Sequence, residues 1–365
     1  MSASQSDSAR EAERRAFLAA SGWGDASVTP FPGDASTRRY FGVTRGGETA
    51  ILMDAPAASE APVCPPGATP EERAKLGYNA LARLAGNNVA AFAGIGDALH
   101  ARGFSAPRIL AADMARGFLI IEHLGDDLYA RAIPKGAHEG RLYAGAVDTL
   151  AAIYRSSFTP DFTAHGGSWR VEAYDTPALL AETGLFLDWY MPHFGKEASP
   201  QLRADWQGAW ETVLALLGAH TPGLALRDYH AENLIWLPTR EAEAQTGLLD
   251  FQDALFAHPA YDLVSLLEDA RRDVSPDLIA PLKDRFFKHA KLSDRAGFDA
   301  AYAVLGAQRN AKILGIFVRL AKRDGKPRYL DLIPRVRAHF AGDIAHPALA
   351  PVARLVRAAL PEMTP

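Results

Sequence analysis

The stretch Leu226-Arg227-Asp228-Tyr229-His230-Ala231-Glu232-Asn233-Leu234-Ile235-Trp236-Leu237, followed at 248 by Leu248-Leu249-Asp250-Phe251-Gln252-Asp253, decides the reading of this chain. Two short apolar runs, 234–237 and 248–249, are bounded by acids and amides. Buried strands do not end in a string of acids without a use for them, because burying an unpaired charge is costly. Moving a phosphoryl group to an alcohol needs a carboxylate to orient the hydroxyl and accept its proton, and oxygen ligands to hold Mg²⁺ on the phosphates. One Asp and one Asn carbonyl are hard oxygen donors of the kind Mg²⁺ prefers. Asp228 and Asn233 lie five residues apart on a loop entering a strand, and Asp250 follows a second strand 17 residues on. In that D-x-x-x-x-N … D order, Asp228 is the candidate base and Asn233 and Asp250 are candidate metal ligands. Either segment alone also fits a turn former or a helix cap. The two together point to chemistry.

Outward from this cluster, the first third reads as mixed helix and strand. Residues 8–20 are helical, with Phe17 and Leu18 as anchors. Strands at 39–43 and 49–53 flank the turn signal Arg45-Gly46-Gly47. Five prolines within 55–70 mark a loop. Helices near 71–85 and 88–102 follow, then strands at 108–112 and 117–122, with 114–117 as the turn. From about 126 the pattern is helical apart from 224–253. Leu142, Tyr143, Ala146, Val147, Leu150, Ile153 and Tyr154 fall on one helical face, and Ile313, Leu314, Phe317, Val318 and Ala321 do the same. The expected class is α+β, with a small antiparallel sheet lobe over residues 1–122, a hinge near 122–125 and a larger, mostly helical lobe over 123–365.

Composition narrows the class. The 365 residues are 48% hydrophobic and 22% charged with a formal net charge of −4, which argues against nucleic acid or an acidic membrane as partner. No apolar run of 18 residues occurs and no leader pattern follows the polar start, so a cytoplasmic location is expected. The single cysteine, Cys64, allows no internal disulfide and no cysteine-based zinc site.

Residues 227–237 and 248–253 resemble the catalytic and metal-binding segments of the aminoglycoside phosphotransferase and choline kinase-like superfamily, which has a protein kinase-like fold. The resemblance implies ATP and Mg²⁺ as cofactors, Asp228 as base, and Asn233 and Asp250 as metal ligands. That superfamily commonly has His two residues before the base, where this chain has Leu226. Gly33-Asp34-Ala35-Ser36-Thr37-Arg38-Arg39-Tyr40-Phe41, with Ile51-Leu52-Met53-Asp54-Ala55-Pro56, is similar to bacterial cell-wall amino-sugar kinases acting on the anomeric hydroxyl of N-acetylmuramate and N-acetylglucosamine. Residues 250–254, 261–267 and 312–320 fit the same pattern, so the likeness spans roughly 30–335 and implies a small sugar as partner, with no obligate protein partner. Gly33, Ser36, Thr37, Arg38 and Arg39 then make a phosphate-covering loop of close backbone, hydroxyls and positive charge. Met53 stands where such enzymes carry a strand lysine, and Arg38 or Arg39 is expected to supply the missing charge. The adenine edge is expected at the hinge, near Glu122 and Leu124.

His230, Glu232, Asp253 and Arg309 are the candidate acceptor contacts. Arg309, with Arg319 and Arg323 on the same helical stretch, would suit the lactyl carboxylate of N-acetylmuramate through a bidentate guanidinium, and each of these residues also has a plainer reading as a loop, flanking or helix-surface residue. Trp169, Tyr174, Trp189 and Tyr190 could stack on a sugar but fit core positions better. Other readings are an aminoglycoside or choline-type kinase, a nucleotide-binding pseudokinase lacking the strand lysine, and a phosphoesterase using Asp228, His230, Asp250 and Asp253. The last leaves the sheet lobe without purpose.

Overall fold

The computed structural model describes residues 3–32, 37–56 and 62–363. Its N-terminal part is built on a two-residue hairpin. Strands β2 (Arg39–Arg45) and β3 (Glu48–Asp54) are joined by Gly46 and Gly47 at φ 53° and 89°, the left-handed pair that matches strand twist. With β1 (Ser27–Pro30), β4 (Ile109–Asp113) and β5 (Phe118–Glu122) they form an antiparallel sheet of order β1-β2-β3-β5-β4. Helix α1 (Ala3–Ala20) precedes it, and α2 (Pro70–Leu76), α3 (Tyr78–Leu81) and α4 (Val89–His100) lie between β3 and β4. After β5 come α5 (Tyr129–Ala132), α6 (Glu139–Arg155), strands β6 (Asp161–Ala164) and β7 (Gly167–Arg170), and helices α7 (Thr176–Leu185), α8 (Met191–His193) and α9 (Pro200–Leu214). Four short strands follow: β8 (Gly223–Ala225), β9 (Leu234–Trp236), β10 (Thr246–Leu248) and β11 (Leu255–Ala257). They pair as β9 with β10 and β8 with β11. The remainder is α10 (Ala260–Leu267), α11 (Pro276–His289), α12 (Arg295–Lys322), α13 (Ile333–Ile344) and α14 (Ala350–Ala359). This is the expected α+β class: a small antiparallel sheet followed by a larger, mostly helical part.

Strand alternation gives the sheet two apolar faces. Ala50, Leu52, Phe118 and Ile120 pack against Phe17 and Leu18 of α1, and Phe17 stacks on Phe118 at 5.4 Å. Arg10 of α1 donates from Nε to the buried Asp54 carboxylate at 2.8 Å and caps the Arg116 carbonyl. Met53, Leu119 and Ile121 face the other way, into a core shared with α4 and the helical part. Helix α4 is bound tightly to that part. Phe92 stacks on Phe251 at 4.7 Å. Cβ atoms added at Gly94 and Gly167 would come within 2.9 Å of Phe162 and Ala90.

Two expectations are corrected. The helix expected over 71–85 is interrupted: Thr69 and Glu72 form a capping box for α2, and Gly77 at φ 100° ends it. The helical pattern after 126 also conceals the β6–β7 hairpin, whose turn is His165-Gly166 at φ 49° and 77°. Among the described residues no helix is long and apolar enough to cross a membrane.

Helix α12 runs through the middle of the helical part, and Gly315 is where α7 crosses it. A Cβ at Gly315 would overlap the Leu185 carbonyl and Cβ. Gly315→Ala gains about 1 kcal/mol in helix propensity, but backbone cannot move aside cheaply and overpacking costs about 1–3 kcal/mol. A net loss is therefore expected, read as a lower urea midpoint. An unchanged midpoint would mean that the crossing relaxes freely.

Candidate active site

The loop after β8 is held by a buried carboxylate. Asp262, in the first turn of α10, accepts the Leu226 N–H at 2.6 Å and the Arg227 N–H at 2.9 Å. Burial pushes its carboxyl up to about 7 against those two bonds. Arg227 sits at φ 70°, a conformation costing a side-chain-bearing residue about 1–3 kcal/mol. The turn sends its guanidinium into the core, bonded to Glu182 and to the Ala82 carbonyl, while Asp228 faces the opening. Further along, the Asn233 N–H closes on His230 O at 2.8 Å and β9 begins. The β9–β10 pairing returns the chain beside Asn233, whose carbonyl accepts the Leu249 N–H at 3.0 Å. Asp250 follows at φ 57°, with Phe251 buried behind it and Gln252 Nε2 donating to its Oδ1 at 2.8 Å.

Two strand ends therefore bring three groups together. Asn233 Nδ2 is 3.0 Å from the Asp228 carbonyl and 3.5 Å from Asp250 Oδ2. The carboxylates of Asp228 and Asp250 remain 41% and 38% exposed and open into one cavity of about 670 Å³. Arg309 approaches Asp228 Oδ1 to 3.9 Å and Arg38 approaches Asp250 Oδ1 to 3.2 Å. Burial pushes the Asp228 carboxyl up, but Arg309, with Lys312 and Arg227 behind it, outweighs that and holds it below the usual aspartate range. Asp250 moves up, mainly through burial.

The donor set fits Mg²⁺. Among the described residues no group of three or more His, Cys, Asp or Glu could hold a metal. With its Nδ2 on the Asp228 carbonyl, Asn233 keeps Oδ1 for a cation, and Asp250 adds a carboxylate. Two such oxygens completed by phosphate and water are the way Mg²⁺ is usually bound.

A second cavity of about 350 Å³ adjoins the first, between the sheet and the helical part. Tyr40, Ile51, Phe92, Ile121, Ile235 and Leu249 make it largely apolar, and Arg38, Asn233 and Asp250 line both cavities. Glu122 and Leu124 lie on its wall. The Glu122 carboxylate is engaged by Arg240 at 2.9 Å and Arg108 at 3.3 Å, and Leu124 packs with Ile235 and Leu237.

Of the expected phosphate loop, Gly33 and Ser36 lie outside the described residues. Thr37 donates to Asn87 Oδ1 at 3.1 Å, Arg38 points into the site, and Arg39 opens β2 with its side chain exposed. Met53 is buried in the shared core. His230 is buried, and its Nε2 faces the Arg271 guanidinium at 3.2 Å and the Asn233 amide at 3.4 Å. Burial and then Arg271 depress the ring to about 4, so it is neutral at pH 7. Glu232 pairs with Arg271 at 2.8 Å, and Asp253 accepts the Ala85 N–H at 2.6 Å. Both line the larger cavity. The solvated reading of Arg309 is corrected: it is buried and donates to Ser265 Oγ at 2.6 Å.

Glu182 was not anticipated. Wholly buried on α7, it accepts from Arg227, Tyr174 and Gln308, with Lys312 at 3.4 Å. The strap 70–87 also went unread as part of the site, although Tyr78, Asn79 and Asn87 line the cavity. It is fastened by Arg73, a buried guanidinium that donates to Asp175 at 2.6 and 3.0 Å and to two strap carbonyls. The signal available in sequence was charge inside an apolar run, as in Ala311-Lys312-Ile313-Leu314.

Residues 27–299 match the model of the phosphotransferase enzyme family. The chain belongs to that family. Its similarities run the length of the molecule. An N-acetylmuramate/N-acetylglucosamine kinase of Caulobacter vibrioides is 47% identical over 343 residues, 94% of each chain. One of Pseudomonas aeruginosa is 30% identical over 357 residues, 95% of this chain and 93% of that one. A choline/ethanolamine kinase family protein of Mesorhizobium loti shares the fold, with a TM-score of 0.54 at 15% identity, covering 96% of this chain and 99% of that one. In this phosphotransferase the matched stretch holds the sheet, the 226–233 loop and Asp250. The cations of α12, from Arg309 to Arg319, lie beyond it.

Proposed function

We propose that the chain is an ATP- and Mg²⁺-dependent cytoplasmic kinase of amino sugars, phosphorylating the anomeric hydroxyl of N-acetylmuramate and N-acetylglucosamine. One observation carries the reading. A largely apolar slot and a polar cavity meet at Asp250, Asn233 and Arg38, with Asp228 on the polar side. The names of the relatives support the acceptor. Residues 1–122 would serve mainly the nucleotide and 123–365 catalysis and the acceptor, with the strap 70–87 reaching across.

Asp228 orients the acceptor hydroxyl and takes its proton as the oxygen bonds to the γ-phosphorus and the β–γ bridging bond breaks, leaving ADP. Its depressed pKa keeps it ionised at neutral pH. Asn233 Oδ1 and Asp250 would hold Mg²⁺, which when bound neutralises charge on the phosphates. Of the two arginines expected to replace the strand lysine, Arg38 is the one directed at the site, and we assign it that role. Most of the work is positioning and electrostatics, as phosphoryl transfer requires.

The test is a screen with ATP and Mg²⁺ across both amino sugars, aminoglycosides and choline. Turnover of the amino sugars to an acid-labile, alkali-stable phosphate is expected. Turnover of only aminoglycosides or choline, or of nothing while nucleotide binds, would overturn the reading.

A further inference from the structure

The larger cavity is lined by cations, and most are already matched. Arg38 faces Asp250, Arg227 and Lys312 share Glu182, Arg271 holds Glu232, and Arg309 stands beside Asp228. Arg131 is exposed to water. Arg319 is different. Its guanidinium lies across the ring of Tyr78 at 4.9 Å, and its Nε, like that of Arg309, is buried without a hydrogen-bond partner. Among the described residues it forms no ion pair. Asp324, the acid whose charge acts on it, is taken by Arg323 through two bonds of 2.6 and 3.1 Å. Burial, the largest influence on it, lowers the guanidinium's pKa.

Position adds to this. Arg309, Lys312, Ile313, Ile316 and Arg319 recur at helical spacing along the face of α12 that lines the cavity. The ten residues from Arg309 to Arg319 rise about 15 Å. An acceptor whose hydroxyl lies at Asp228 and which runs along this stripe would point its far end toward Arg319. Tyr78 roofs that end, and its strap is fixed by Arg73 and Asp175, so the platform under the guanidinium is part of the fold.

We infer that Arg319 is a specificity-determining residue that receives a carboxylate carried by the acceptor at the end of the cavity remote from Asp228. This rests on the amino-sugar reading. Of the two sugars proposed, N-acetylmuramate bears a lactyl carboxylate and N-acetylglucosamine has a hydroxyl in its place. A half-buried guanidinium with a free fork is the group best suited to a carboxylate.

The experiment compares kcat/KM for the two sugars, and for the neutral methyl ester of N-acetylmuramate, in the wild type, Arg319→Met and Arg319→Lys. A charge-assisted pair lost from a half-buried site corresponds to about a 10–100-fold fall in the acid-to-neutral ratio, carried mainly by KM. Arg319→Lys should recover part of it. The wild type should disfavour the ester, and Arg319→Met should treat ester and acid alike. A ratio unmoved by Arg319→Met, or equal losses on both sugars, overturns the assignment, as does a wild type indifferent to esterification. The two failures are distinct. A wild type that phosphorylates neither sugar sinks the function proposed above and this inference with it, whereas an active wild type with a fixed ratio sinks only the role of Arg319.

Discussion

Asp228→Asn is expected to lower kcat by about 10²–10⁴-fold, the usual contribution of a positioned proton acceptor, while nucleotide still binds. The substitution keeps size and shape and removes the negative charge together with the ability to take a proton. The loop should survive it, because its anchors are elsewhere: Asp262 on the Leu226 and Arg227 amides, and the Asn233 amide on the backbone carbonyl of 228. Steady-state turnover of the amino sugar beside calorimetric titration with nucleotide separates the two effects. Turnover within a small factor of wild type would remove Asp228 from the chemistry. Parallel loss of nucleotide binding would point instead to a collapsed site.

Glu182→Leu should be the most damaging change outside the open site. It strips Arg227 and Lys312, both buried, of their common carboxylate. Breaking a buried pair by removing one partner costs about 3–5 kcal/mol, against a whole stability of about 5–15 kcal/mol for a typical domain. A large fall in the urea midpoint is expected. Combining Glu182→Leu with Arg227→Met and Lys312→Met should recover stability, since the loss comes from stranded charge rather than lost volume. A midpoint unmoved by the single change would show that water or a rearranged side chain takes the place of Glu182.

What could be read from sequence was whatever is encoded locally. The β2–β3 hairpin is written in Gly46-Gly47 between β-rich runs, and the convergence of Asn233 and Asp250 follows from two apolar runs long enough for one antiparallel pairing. Gly77, which divides the strap, was visible too, but its helix-ending role depends on a cap that only the folded chain displays. Glu182 was not readable. It is one acid on an ordinary helix, and its importance comes from Arg227, 45 residues away, turning inward at φ 70°. Tyr78 and Arg319 are further apart still, and their contact depends on a strap fixed by a third pair, Arg73 and Asp175. Side chains whose partners are set by tertiary approach leave no periodic trace.

The close glycine contacts of α4 bear on how the molecule can move. With Gly94 against Phe162, Gly167 against Ala90 and Phe92 stacked on Phe251, that helix is packed onto elements that follow β5, although its residues precede it. Were the sheet to shift, the moving body would be a thin plate, the five strands with α1 on their back, sliding over a block that already contains α4 and the Asp250 turn. Breathing of the nucleotide slot would change the height of its ceiling and leave its floor, with the carboxylates of Asp228 and Asp250, standing still.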